Sequence, residues 1–213
     1  MIIRNSSTFI ACPYCGHTKK MLTMVSGNTF GATLWTDGIV NYPMLLIYPD
    51  VLKCYRCCSF FWYEDRLEIN AGQPTELFYK LSKMSDEMKK LTVEEYYESI
   101  RSELCTSKEI EKKLRLAAWR RWNDTLRGCG DYTLFSVPDR IGHRKENLLA
   151  LLSLLDEHDE EECLIKAEIY RHLKEYQKSK ELLSKEYSNQ NQEIVNLLIK
   201  LCDAKQWQVK KID

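Results

Sequence analysis

Cys12–Gly16 (CPYCG) and Cys54–Cys57 (CYRC) each contain a C-x-x-C pair, and these two pairs are the main fold signal in the first third of the chain. In such a knuckle the backbone turns tightly, so that two thiolates point at one metal ion while backbone N–H groups donate hydrogen bonds to the sulfurs. Gly16 suits the positive φ that follows the second cysteine. Two knuckles together predict a tetrahedral Cys₄ zinc site. The predicted ligands are Cys12, Cys15, Cys54 and Cys57.

Several alternatives remain open at this site. Cys58 stands where a glycine usually follows the second knuckle, so it either replaces Cys57 as a ligand or lies beside the site. His17 could bind a metal, but four thiolates already complete a structural site, and a surface position is expected. The same ligands hold iron in rubredoxin-type sites, and the cysteines could also be ordinary buried thiols. A closed set of four thiolates leaves no open position for a substrate, so a hydrolytic zinc is not expected.

The residues between the two pairs predict β-structure. They number 38, more than the roughly 15–20 of a minimal ribbon, so an additional hairpin must lie between the knuckles. Short β-type runs occur at Met21–Val25, Thr29–Trp35 and Met44–Tyr48, and Asp37-Gly38 predicts a tight turn because both positions tolerate positive φ. The four cysteines and these strands resemble zinc-ribbon proteins, which implies a small antiparallel zinc-ribbon β domain over residues 1–72.

The pattern changes at Ala71–Pro74, after which every segment has helical periodicity. Thr92 and Glu95 form a predicted capping box, and Ser107 is a predicted N-cap. The predicted helices are 92–103, 109–126, 146–158, 160–173, 175–187 and 191–205. Helix 146–158 is leucine-rich nearly all round, so it should pack between neighbours, and short connections predict antiparallel neighbours. We therefore expect an α+β protein with an all-α domain over residues 73–213.

One part of the helical region has the spacing of a tetratricopeptide repeat. The residues that carry this pattern are Ala167, Tyr170, Tyr176, Ser179 and Leu183. The small residues at 167 and 179 allow two helices to approach closely. Because the pattern does not recur 34 residues before or after, we expect irregular tetratricopeptide-like repeats, with generic helical packing as the alternative. The whole chain resembles bacterial proteins that join an N-terminal zinc ribbon to a tetratricopeptide-like helical region.

This resemblance implies a non-enzymatic protein-interaction or scaffold module whose helical region binds a protein partner through a concave face. The residues of the repeat-like unit that would face such a groove, or else form ordinary solvated surface, are Leu164, Glu168, Arg171 and His172. The main alternative is a nucleic-acid-binding zinc-ribbon protein, and a rubredoxin-like iron electron-transfer protein is a further one.

Charge and aromatic residues bear on the nucleic-acid alternative. Residues 105–127 are basic and place Arg120-Arg121 between two tryptophans, whereas 156–162 is an acidic run that could pair with them. We expect mutually complementary or solvated faces rather than a phosphate-binding surface. The run Phe60–Tyr63 could stack on bases, but core packing is the better interpretation.

Composition and the absence of known motifs disfavour several other classes of protein. The 31 basic and 31 acidic side chains give no net charge, which disfavours a globally basic nucleic-acid binder. The sequence has no P-loop, nucleophile elbow, zincin or dinucleotide motif, so no enzymatic activity is expected. Cys129 and His143 could form a nucleophile pair, but the glycines beside Cys129 also simply end a helix. Nine cysteines without a signal peptide or an apolar membrane segment indicate a cytoplasmic protein with thiols that are free or bound to metal.

Overall fold

The computed structural model describes residues 3–69, 75–128 and 138–212. Its backbone divides into two compact units. Unit 1 consists of Met1–Ala32 and Tyr42–Leu104, and unit 2 of Thr33–Asn41 and Cys105–Asp213. A segment between the two cysteine pairs thus belongs to the helical unit. The predicted border between residues 72 and 73 stays a prediction.

The chain combines short strands with helices, as the predicted α+β class requires. The strands are β1 (Ile3–Ala11), β2 (Thr18–Ser26), β3 (Thr33–Trp35), β4 (Val40–Asn41), β5 (Val51–Lys53), β6 (Phe60–Trp62), β7 (Leu67–Ile69), β8 (Asp86–Glu87) and β9 (Lys211–Ile212). The helices are α1 (Glu76–Met84), α2 (Val93–Ile100), α3 (Lys108–Asn123), α4 (Pro138–Leu152), α5 (Glu160–His172), α6 (Tyr176–Leu183) and α7 (Gln192–Asp203). No helix within the described ranges is long and apolar enough to cross a membrane.

Unit 1 contains a four-stranded sheet in the order β7-β1-β2-β8 and a separate two-stranded sheet, β5-β6. The β1–β2, β1–β7 and β5–β6 pairs are antiparallel, which confirms the small antiparallel sheet structure expected in this part of the chain, whereas β8 of the following segment runs parallel to β2. The apolar core beside the knuckles includes Ile10, Leu52 and Phe61. Phe60 and Phe61 are buried, which confirms that these aromatic residues belong to the core.

The strand predicted at Met44–Tyr48 was wrong, since this segment forms no regular strand. It lies between two prolines, which cannot donate to a strand ladder. Tyr48 instead stacks on Tyr63, with the ring centroids 5.2 Å apart. The strand predicted from Thr29 is shorter than expected and covers only β3.

Capping residues in the sequence correctly predicted where two helices begin. The Thr92 hydroxyl accepts a hydrogen bond from the backbone N–H of Glu95, whose carboxylate accepts one from the N–H of Thr92, so the capping box at α2 is confirmed. The Ser107 hydroxyl caps α3 by accepting from the N–H of Ile110. Two elements were missed: α1 and β8 both lie in the stretch after Ala71–Pro74.

Helix α4 begins at Pro138 and ends at Leu152, earlier than the predicted 146–158. Proline is well suited to the first helical position because its missing N–H would have no helical partner there. Leu148 and Leu151 are fully buried, together with Trp119 of α3 and Ile169 of α5. Leu149 is 48% exposed, so the expectation that this helix is packed on all sides was wrong on one face.

Leu152→Ala tests this packing. Leu152 lies in the same core cluster and is 8% exposed, so the truncation should lower the free energy of unfolding by about 2–5 kcal/mol. Chemical denaturation of the full chain measures the change. Leu149→Ala on the exposed face is the matched control and should cost less than about 0.5 kcal/mol. Equal effects of the two substitutions would contradict the described orientation of α4.

Candidate metal centre

The four predicted cysteines lie together in unit 1. Their sulfur atoms are all within 4.8 Å of one another. The Cys12 and Cys57 sulfurs are 3.8 Å apart, and those of Cys15 and Cys54 are 3.6 Å apart. A tetrahedral ion with metal–sulfur bonds of about 2.3 Å requires sulfurs about 3.8 Å apart. The cluster therefore has the dimensions that a single tetrahedral metal ion needs.

The two knuckles have the same backbone turn. The N–H of Cys12 donates to the carbonyl of His17, and the N–H of Cys54 donates to the carbonyl of Ser59, both at 2.9 Å. The residue after the second cysteine is left-handed in both turns, with φ of 68° at Gly16 and 61° at Cys58. Each turn therefore directs its two cysteine side chains toward the shared site.

This geometry favours Cys57 over Cys58 as the fourth ligand. The Cys57 sulfur belongs to the cluster, whereas Cys58 is exposed and occupies the backbone position that Gly16 has in the first knuckle. Its positive φ is uncommon for a residue with a Cβ. Cys58 is thus a substitute for the turn glycine, and its thiol is not part of the cluster.

Hydrogen bonds stabilise the sulfurs unevenly. Backbone N–H groups of Tyr14 and Cys15 donate to the Cys12 sulfur, but burial of that residue raises the pKa of its thiol. Hydrogen bonds from the side chain and backbone of Ser59 lower the pKa of Cys57 to about 6. The protein alone thus favours the thiolate at Cys57 and disfavours it at Cys12. A bound dication would stabilise all four thiolates together.

Lys19 is a further charged residue near the site, and the sequence pattern did not indicate it. Its side chain is buried, with the ammonium 4.5 Å from the centroid of the Tyr55 ring. Burial lowers the pKa of Lys19, and the thiolate charges of Cys54 and Cys12 oppose that effect. Four thiolates around a dication carry two net negative charges, so a nearby ammonium offsets part of that charge.

His17 does not join the sulfur cluster. Its Nε2 lies 2.8 Å from the Asp86 carboxylate of β8, and this hydrogen bond lowers the pKa of Asp86. The imidazole therefore connects the first knuckle to the edge of the sheet. In the described structure the His17 side chain is partly exposed, and its role is this contact with Asp86.

The residues predicted to line a groove in the helical region are buried instead. Leu164 is 8% exposed, Glu168 and Arg171 are fully buried, and His172 is 3% exposed, so both the groove and the solvated-surface interpretations were wrong. Arg171 pairs with Glu168, and the Arg144 guanidinium donates to Nδ1 of His172 at 2.7 Å. Burial lowers the pKa of His172 to about 4, so this ring is neutral near pH 7.

The basic stretch of α3 is paired within unit 2. Lys112 lies 2.8 Å from Glu162 in the acidic run, and Arg121 lies 2.9 Å from Asp124. Trp119 and Trp122 are buried. The predicted complementarity of the basic and acidic segments is confirmed for Lys112 and Glu162, whereas Arg121 pairs with a carboxylate of its own segment. Cys129 lies outside the described residues, so the suggested Cys129–His143 pair stays a prediction.

Within the described ranges, the four cysteines are the one group of three or more Cys, His, Asp or Glu side chains arranged to hold a single metal ion. No family model matches the chain, and no curated protein or solved structure is similar to it.

Substitution of neighbouring cysteines tests the ligand set. Cys57→Ser removes one of the four clustered sulfurs and should abolish metal retention, because serine is a poor ligand for a thiolate site. Cys58→Ser changes an exposed thiol outside the cluster and should leave one metal ion per chain. Elemental analysis after gel filtration measures both. Retention in Cys57→Ser with loss in Cys58→Ser would assign the ligand to Cys58.

Proposed function

We propose that the chain is a non-enzymatic protein-interaction module with a structural Cys₄ zinc site. The observation that supports the zinc site most directly is the separation of the sulfurs, 3.8 Å for Cys12 and Cys57 and 3.6 Å for Cys15 and Cys54. Zn²⁺ is commonly bound by four cysteines in structural sites, and it brings no redox chemistry. Cys12, Cys15, Cys54 and Cys57 would hold the ion and fill all four of its positions.

The ion would act as a cross-link between distant parts of unit 1. Cys12 directly follows β1, and Cys54 directly follows β5, so a shared metal joins the two sheets of the unit. Such small sheets bury little apolar area, and a metal site supplies folding free energy that a small core lacks. With four thiolates bound, no ligand position is left for a substrate.

The interaction role is proposed for the helical unit. Ala167 of α5 and Ser179 of α6 are fully buried, as close packing of a tetratricopeptide-like helix pair requires. Leu183 is also buried in the cluster formed by α5, α6 and α7. Because Glu168, Arg171 and His172 are buried, a partner would contact exposed residues of these helices instead.

Nucleic-acid binding is less well supported. A single-stranded ligand needs exposed aromatic rings for base stacking and available cations for phosphates. Trp119 and Trp122 are buried, and Lys112 and Arg121 are within ion-pair distance of carboxylates. These observations favour a structural role for α3.

Affinity capture with the full-length chain tests the proposed interaction role. The same protein partner should be recovered with and without nuclease treatment, because a protein contact does not depend on phosphate charges. Substitution of two basic residues of α3, Lys113→Ala at an exposed lysine together with Arg121→Ala, should leave this recovery unchanged. Recovery of nucleic acid alone, lost in the double variant and on raising the salt concentration, would replace the proposal with nucleic-acid binding.

A further inference from the structure

The turn at Thr36-Asp37 is buried in the helical unit. Asp37 is fully buried, and its carboxylate accepts a hydrogen bond from the Asn123 amide at 2.8 Å and pairs with the Arg127 guanidinium. The Asp37 carbonyl accepts from Nε of Arg120 at 3.1 Å. Three residues in or just after α3 thus bind one short turn, which lies between the two cysteine pairs in the sequence.

Thr36 connects the same turn to α5 and to the end of the chain. Its hydroxyl donates to the Glu168 carboxylate at 2.6 Å and accepts from the N–H of Lys210 at 3.0 Å. Its backbone N–H donates to the Lys210 carbonyl at 2.9 Å. Arg171, which pairs with Glu168, also donates to the carbonyls of Gln206 and Gln208.

Strand pairing reinforces this network. The central strand β3 pairs with β4 on one side and with the C-terminal β9 on the other, with Leu34 opposite Ile212. If the Thr33–Asn41 hairpin, which contains β3 and β4, undocked from the helical unit, β9 would lose its strand partner. The buried Glu168–Arg171 pair would also lose its contacts with Thr36. Removing partners from buried charged groups is strongly destabilising. The helical unit is therefore complete only with the hairpin in place.

The hairpin is joined covalently to unit 1 at both ends, through Ala32 and Tyr42. Its two flanks lead back to the knuckles at Cys15 and Cys54. If unit 1 loses its order, the hairpin stays linked to α3 only by a flexible tether from Tyr42 to Leu104. The effective concentration of a tethered group falls roughly as the −3/2 power of the length of a flexible linker. Loss of order in unit 1 would thus weaken docking of the hairpin.

We propose that metal binding at the four cysteines controls docking of the Thr33–Asn41 hairpin in the helical unit, and through it the order of the C-terminal segment 206–212. This inference rests on the proposed metal site and adds its regulation. Metal binding orders the two knuckles, the ordered unit 1 fixes both flanks of the hairpin, and the hairpin completes the β4-β3-β9 sheet. Removal of the metal releases these constraints in the same order.

Hydrogen exchange of the full-length chain, with and without zinc under reducing conditions, tests this coupling. Docking of the hairpin is measured by the exchange rates of the Thr36 amide and of peptides that cover residues 206–212. These amides report on docking because the Thr36 N–H donates to the Lys210 carbonyl within unit 2. Metal removal should accelerate exchange at these amides by about tenfold or more, as expected for a docked segment that becomes flexibly tethered. Peptides of α7 serve as an internal reference and should change less.

Two variants separate the possible outcomes. Thr36→Val keeps the side-chain volume but removes the hydroxyl, so it should accelerate exchange over 206–212 while zinc binding remains at one per chain. Cys58→Ser should retain both zinc and protection. Zinc binding with unchanged exchange at Thr36 and 206–212 after its removal would overturn the coupling and leave the metal site intact. A chain that binds no zinc would overturn both.

Discussion

Four thiols within 4.8 Å of one another are electrostatically unfavourable as thiolates unless they share a cation. The two turns are arranged for such sharing, since each has the same backbone hydrogen bond and the same left-handed residue after its second cysteine. Burial of Cys12 and Cys54 excludes water from one side of the cluster. A shared cation would fix two segments that are far apart in the sequence, and both sheets of unit 1 lead directly into the cluster.

The chain between the two knuckles also forms part of the helical unit. It contributes β3 and β4 to the helical unit, where Thr36 and Asp37 are buried against charged side chains. A buried ion pair is a weak source of stability but a strong constraint on geometry, because each charged group requires its partner. Asp37 and Arg127, like Glu168 and Arg171, therefore specify where the hairpin must lie within unit 2. The cysteine cluster and the helical unit are thus linked through one continuous segment of the chain.

The features that the sequence predicted are those set by local chemistry. C-x-x-C spacing, the Asp37-Gly38 turn and the Thr92 capping box each depend on a few adjacent residues, and the structure has all three. Long-range pairing was not predictable in this way: the Thr36 hydroxyl meets Glu168 at a separation of 132 positions. Without this contact, Glu168 and Arg171 have the polar pattern of a solvated helix face. Met44–Tyr48 has a β-type composition but forms no strand, because the prolines on both sides of it cannot donate backbone hydrogen bonds to a strand ladder.

In the proposed site the four cysteines share one zinc ion. X-ray absorption at the metal edge, combined with elemental analysis of the full-length chain, measures the ligand set and the metal content. One zinc per chain is expected, surrounded by four sulfur atoms at about 2.3 Å. Iron with the red colour of a rubredoxin-type centre, oxygen or nitrogen in place of a sulfur ligand, or a chain that retains no metal would contradict it.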